Sequence, residues 1–258
     1  MHAGTVFDLT GKVALVTGAS SGLGNRFSRV LASNGAKVYC AARRLDALET
    51  LVDGISAEGG DAHALQMDVT DLASVEAGLS VVADHGDVAT IVCNNAGVAW
   101  NGRASDMNDD DWRKVIDVNL DSVFRVARET ANRMIEAGTS GTIINTASIL
   151  GLSVSRGVAA YCASKAGVVN LTRALAVEWG RVGIRVNALA PGYFQSEMTG
   201  GYLASETAAK MFERTPMKRP GAPHELDGAL LLLASDAGSY INGITLPVDG
   251  GQSLEIPS

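Results

Sequence analysis

Cysteine is scarce in this 258-residue chain, which has only Cys40, Cys93 and Cys162. Their odd number, wide separation and lack of a C-x-x-C spacing argue against a disulfide framework or a thiolate zinc site, so buried free thiols are expected. The four histidines, His2, His63, His85 and His224, show no metal-ligand spacing, and no protein-bound metal is expected. Long apolar runs are also missing. The richest, Leu230 to Leu233, falls far short of the ~18 residues a membrane helix needs. The first residues, MHAGTVFDLTGK, lack the charged start and apolar core of a secretory signal, and a cytoplasmic protein with no membrane partner is expected. Positive charge is in deficit, at 21 Lys+Arg against 28 Asp+Glu for a net −7, so no broad attraction to nucleic acid is expected. No Gly/Ser linker, charge block or low-complexity segment divides the chain.

What the sequence does contain is alternation. Short β-branched runs (Val13–Val16, 37–42, 62–69, 90–93, 142–145, 184–188 and 244–248) alternate with amphipathic stretches. Helices are expected over about 22–34, through Leu45 to Ile55, through Val75 and Leu79, over about 110–137, around Tyr161 and over about 225–234; 196–221 reads as a polar, glycine-containing segment. Continuous apolar strands suit burial on both faces of a parallel sheet. Strict strand–helix alternation predicts an α/β fold: a single-domain doubly wound parallel sheet, Rossmann-like, with helices on both faces. In such sheets ligands bind beyond the carboxyl ends of the strands, so chemistry is expected there. The cofactor half would run over about 10–150 and the catalytic and substrate half over about 151–258.

The motifs fall at those ends. After the first strand comes Thr17-Gly18-Ala-Ser20-Ser21-Gly22-Leu23-Gly24, opening a helix; glycines let the backbone approach a pyrophosphate while the helix start offers free N–H groups. The second strand ends in Arg43-Arg44 with no acid, which suits a ribose 2′-phosphate better than a free hydroxyl, although both could be ordinary surface charges. The fourth ends in Asn94-Asn95-Ala96-Gly97 and the fifth in Thr146-Ala147-Ser148. On the long helix Trp112, Val115, Ile116, Val123 and Val126 trace an apolar stripe that includes Asn119, an amide that needs partners there. Tyr161 and Lys165, four apart, share a helix face, where a cation favours the phenolate and moves its pKa down from about 10. Such a tyrosine could move a proton at a carbonyl or alcohol oxygen, but taken alone the pair more often means a half-buried tyrosine near a solvated lysine.

In this order and at these separations the motifs resemble the classical branch of the short-chain dehydrogenase/reductase family over almost the whole chain. The resemblance implies an NAD(P)-dependent oxidoreductase interconverting a ketone and a secondary alcohol. It assigns Asn119, Ser148, Tyr161 and Lys165 as the catalytic tetrad: Tyr161 as acid or base, Lys165 lowering its pKa and binding the nicotinamide ribose, Ser148 orienting the substrate oxygen, Asn119 holding a water. It implies cofactor contacts from Gly18, Ser20, Ser21, Gly22, Leu23, Gly24, Arg43, Arg44, Asp68, Val69, Asn94, Ala96, Gly97, Tyr161, Lys165, Pro191, Gly192 and Ser196. NADP(H) is favoured, with NAD(H) possible. It also implies a lid after Pro191, with Met198-Thr-Gly-Gly201 as hinge, and a homotetramer through two long helices, where Ala160, Ala163, Ser164 and Gly167 would permit close packing.

The substrate would be a small carbonyl or alcohol compound. Trp100, Leu150, Leu152, Val154, Tyr193, Met198 and Tyr202 are expected to give a mainly apolar or aromatic pocket, while Arg156 could meet an anionic group or face water, with water favoured. Two alternatives remain. A 3-oxoacyl-thioester reductase would offer Arg125, Arg128, Arg133 and Arg173 to an acidic carrier protein. A non-catalytic nucleotide-sensing protein on the same fold would not need all four tetrad groups.

Overall fold

The structure is a computed structural model and describes residues 3–195 and 200–254. Ser196 and Met198, expected at the cofactor and in the pocket, lie outside the described residues. Seven parallel strands form one sheet: β1 Val13–Thr17, β2 Lys37–Ala42, β3 Asp61–Gln66, β4 Ile91–Asn94, β5 Gly141–Thr146, β6 Ile184–Pro191 and β7 Thr245–Val248. Their order is β3-β2-β1-β4-β5-β6-β7, so the chain winds outward one way from β1 and then back past it. The direction reverses between β1 and β4, which pair through Ala14↔Ile91 to Val16↔Cys93. That reversal opens a crevice at the carboxyl ends of both strands.

Around the sheet lie α1 Ala3–Val6, α2 Gly22–Ser33, α3 Leu45–Ala57, α4 Leu72–Asp84, α5 Asp109–Ile116, α6 Ser122–Glu136, α7 Ala159–Trp179, α8 Gly200–Leu203, α9 Glu206–Arg214 and α10 Asp227–Ala234. Successive strand residues point to opposite faces, and each face has its own core. Ala14, Val16, Val38 and Cys40 pack with Phe27, Leu31, Leu48, Leu51 and Leu230 from α2, α3 and α10. Leu15, Tyr39 and Ala41 pack on the other face with Leu79, Val126, Met134 and Leu175 from α4, α6 and α7. Each of the larger side chains contributes about 1.5–3 kcal/mol by leaving water. All three cysteines are free and buried. No helix among the described residues is long and apolar enough to cross a membrane, and none of their side chains group as a metal site.

The helix expected over 110–137 is interrupted. α5 and α6 are joined by a π-helical turn, Asp117–Asp121, with Asn119 buried inside it. A π turn widens the backbone by one residue and is common at functional sites. Trp112, expected in the apolar stripe, is 42% exposed, whereas Val115 on the same helix is buried. The segment 196–221 contains α8 and α9, whose start is capped by Ser205 Oγ accepting from Ala208 N at 3.2 Å. Of the small residues expected at a helix–helix interface, Ala160 and Ser164 are buried within the protomer, and Gly167 lies against Leu120; Ala163 is exposed.

Candidate active site

The crevice between β1 and β4 is a cleft of about 450 Å³, lined by parts of every expected motif. Its first wall is the turn after β1. Gly18 and Gly22 have φ of +67° and +56°, a region where a side chain is strained. A Cβ on Gly24 would lie 2.3 Å from Gly18 O and 2.6 Å from Asn95 Nδ2, so only glycine allows α2 to start this close to the turn. Ser21 caps α2 without a side-chain bond, leaving N–H groups of the first turn open to the cleft.

A polar clasp holds this turn to the end of β4. Thr17 Oγ1 accepts from Asn95 N at 3.0 Å and Ala96 N at 3.2 Å, and Asn95 Nδ2 donates to Thr17 O at 3.1 Å. Asn94, expected to line the cofactor, does not face the cleft. It is 2% exposed, and its Nδ2 donates to Asn145 Oδ1 at 3.0 Å, beginning a buried chain that Asn145 Nδ2 continues to Thr172 Oγ1 at 2.9 Å. The alternation of a strand sends these two neighbours opposite ways, so Asn95 lines the cleft.

At the rim, Arg43 and Arg44 both line the cleft. Arg44 Nη2 donates to Ser20 Oγ at 3.1 Å, tying the rim to the glycine turn. Asp68 Oδ1 accepts from Thr70 N at 3.0 Å and Thr70 Oγ1 at 2.7 Å. Burial would raise the Asp68 pKa, yet the Thr70 bonds and the charges of Arg43 and Arg125 leave it below the usual value. Arg125 Nη1 also donates to Val69 O at 2.7 Å, so the backbone wall beside Asp68 is fixed from α6.

The inner end holds the proton chemistry. Lys165, 3% exposed, donates to Thr146 O at 2.6 Å, and burial pulls its pKa down to about 8. Its Nζ stands 5.7 Å from the centroid of the half-buried Tyr161 ring. The expected lowering of the Tyr161 pKa is not seen: burial raises it, and the hydrogen bond with Ser148 opposes that only in part. The lysine charge is spent on a backbone carbonyl rather than on the phenol. Ser148 Oγ accepts from Leu150 N at 3.1 Å, which fixes the hydroxyl at the end of β5. Asn119, in the π turn, clamps the loop after β4: its Oδ1 accepts from Val98 N at 2.8 Å, and its Nδ2 donates to Val98 O at 2.9 Å and Ser164 Oγ at 3.1 Å. Gly97 is held close enough that its Cβ would lie 3.7 Å from Lys165 Nζ.

Pro191 and Gly192 close the far side. Tyr193 stacks on Tyr202 with ring centroids 5.2 Å apart and meets the edge of Phe212 at 6.4 Å, joining the end of β6 to α8 and α9. Leu152 and Val154, expected in the substrate pocket, are 44% and 84% exposed and are not among the residues that line this cleft. Arg156 is exposed, as expected. Sequence reasoning did not single out Thr70, Met67, Lys114 or Phe194 as cleft residues. Only Thr70, two residues after Asp68, carried a signal, an Asx-type turn.

The cleft fits a dinucleotide on structural grounds: a backbone cradle that a Cβ would fill, open helix N–H groups, a paired-arginine rim and a buried ammonium. Comparison with known proteins agrees. A family model described as "Enoyl-(Acyl carrier protein) reductase" matches residues 18–253. The chain is 38% identical over 252 residues to gluconate 5-dehydrogenase of Gluconobacter oxydans, covering 97% of this chain and 98% of that protein. It is 41% identical over 258 residues to a galactitol 2-dehydrogenase (L-tagatose-forming) of Cereibacter sphaeroides, again with 97% and 98% covered. Among solved structures, a gluconate 5-dehydrogenase from Burkholderia cenocepacia in complex with NADP and tartrate superposes with a TM-score of 0.95 at 36% identity, with 99% of this chain and 100% of that one covered.

Proposed function

The chain belongs to the short-chain dehydrogenase/reductase family and is an NAD(P)-dependent oxidoreductase acting on CH–OH and C=O groups, and from this we propose a ketone–secondary alcohol oxidoreductase that prefers NADP(H). The observation that carries the proposal is the convergence of Ser148, Tyr161 and Lys165 at the inner end of a cleft whose outer rim is Arg43 and Arg44. Glycine turn and α2 N–H groups would hold the pyrophosphate, Arg43 and Arg44 the 2′-phosphate, Asp68 and Val69 the adenine side, and Lys165 the nicotinamide ribose. The bound nicotinamide supplies or accepts the hydride.

The chain's own residues handle the oxygen and its proton. Ser148 orients the substrate oxygen and stabilises charge on it, while Tyr161 delivers a proton in reduction and removes one in oxidation. Lys165 keeps a positive charge beside this exchange, and Asn119 holds the Val98 backbone that forms the opposite wall. A non-catalytic nucleotide sensor would have no use for these four groups together. Of the four arginines that the carrier-protein reading would use, Arg125 binds Val69 O and Asp117, Arg128 pairs with Glu129 and Arg133 donates to Ser80, while Arg173 is exposed.

The cofactor claim is tested by fluorescence titration with NADPH and NADH. The native chain is expected to bind NADPH more tightly, and Arg43→Asp to reduce the NADPH/NADH affinity ratio by about tenfold or more. An unchanged ratio would show that Arg43 is only a surface charge. We also propose a cytoplasmic homotetramer. Three buried free thiols suit a reducing compartment, and exposed Phe124, Ile135 and Val177 leave apolar area on α6 and α7. Light scattering should give a mass near four chains; a monomer mass would reject this assembly.

A further inference from the structure

We propose that Lys114 is a further cofactor-binding residue, which pairs its ammonium with a phosphate group of the dinucleotide from the β4 side of the cleft. This deepens the oxidoreductase reading and rests on it. Lys114 on α5 and Val118 in the π turn, four residues further on, both line the cleft. Arg43 and Arg44 reach the same space from the end of β2, on the far side of β1, whereas Lys114 belongs to the stretch that follows β4. A cation therefore stands on each side of the crevice.

The charge of the cleft runs against that of the chain. The whole protein carries a net −7, yet among the described residues the cleft is lined by Arg43, Arg44, Lys114 and Lys165 and by a single acid, Asp68. Asp68 is held by Thr70, Lys165 donates to Thr146 O and Arg44 donates to Ser20 Oγ. Lys114 has no such use. Acids three or four residues away on a helix would ordinarily take its charge, but Asp110 pairs with Arg113, Asp111 bonds with Asn108 and Asp117 pairs with Arg125. A lysine at a helix C-terminus can also answer the dipole. Here the Arg113 and Lys114 carbonyl oxygens accept from the Asp117 N–H, and the backbone runs on through the π turn into α6, so no helix end is present. The ammonium is left exposed, with no hydrogen-bond or ion-pair partner among the described residues. A cleft lined by one sign of charge focuses its field on a counter-ion, and the flexible lysine stem lets the ammonium close on a phosphate once it is bound.

The test is fluorescence titration of Lys114→Met, Lys114→Glu and Lys114→Arg with NADPH and with NADH, at low and high salt. Lys114→Met should weaken NADPH binding by about fivefold, Lys114→Glu by more, and Lys114→Arg by less than about twofold. Added salt should weaken NADPH binding more steeply in the native chain than in Lys114→Met, which has lost one charge pair. An equal loss for both cofactors identifies the pyrophosphate that they share; a loss confined to NADPH identifies the 2′-phosphate. Affinities within about twofold of native in both Lys114→Met and Lys114→Glu overturn the proposal. So does a loss that Lys114→Arg shares in full, or one that leaves the salt dependence at its native slope, the marks of a packing role. Failure of the oxidoreductase reading would look different, because the native chain would then bind neither cofactor or show no Tyr161-dependent turnover with either.

Discussion

Tyr161→Phe is expected to cut turnover by at least about a thousandfold while leaving NADPH affinity within about twofold. Among the described residues, the phenol is the acid–base group that shares the inner end of the cleft with Ser148, whose hydrogen bond lowers its pKa against the effect of burial. Phenylalanine keeps the ring and its packing near Lys165, so the fold and the cleft should survive. The loss should fall on kcat, since a proton that has no carrier stalls the chemical step and not binding. Single-turnover rates together with fluorescence titration separate the two. Residual activity above about one-tenth of native would mean that another group carries the proton, and would sink the assignment of Tyr161.

The second large effect concerns Lys165. Its ammonium sits at 3% exposure, with a pKa pulled from 10.5 to about 8 by burial. A depressed pKa means that the folded state binds the proton less readily than the unfolded chain. The associated stability is therefore present above pH 10.5 and is lost as the pH falls through the folded value near 8. Lys165→Met removes this dependence. The difference in unfolding free energy, variant minus native, should move in favour of the variant by roughly 2–3 kcal/mol between pH 10 and pH 7. Both proteins contain every other titrating group, so those cancel. The orphaned Thr146 carbonyl shifts the whole difference but not its slope. Urea unfolding at both pH values measures it; parallel behaviour of the two proteins would show that Lys165 titrates normally. Catalysis should be lost at either pH, which makes this buried charge a case of stability given up at a working site.

The fold was legible because its signals are local and repetitive. Continuous apolar strands such as Val13–Thr17 and the glycine turn after it announce a parallel sheet and a nucleotide crevice from residue type alone. What escaped depends on direction. Asn94 and Asn95 are chemically identical neighbours, and only the register of β4 decides that the second lines the cleft while the first is buried against Asn145. The π turn at Asn119 leaves an ordinary helical pattern in the sequence because one extra residue in one turn barely disturbs the period. Leu152 and Val154 read as pocket wall by hydrophobicity alone, but the course of their loop depends on contacts distant in sequence, such as the Gly102–Gly157 backbone bond. Lys165 and Tyr161 were correctly placed together, but the carbonyl that claims the ammonium belongs to Thr146, 19 residues earlier. No helical spacing could reveal it.

The clasp between Thr17 and Asn95 has a consequence for how the molecule comes into being. Its hydrogen bonds join positions 78 residues apart, across β1 and β4. A growing chain that has made β1, α2, β2, α3 and β3 already holds the glycine turn and both rim arginines. It still lacks the amide that pins the turn, the Ala96 backbone that Gly18 lies against and the strand that bounds the crevice. Long-range pairings of this kind form slowly, because the intervening chain must be ordered before they give anything back. The nucleotide cradle is thus among the last parts of the first half to exist, so tight dinucleotide binding reports that this half of the domain has finished folding.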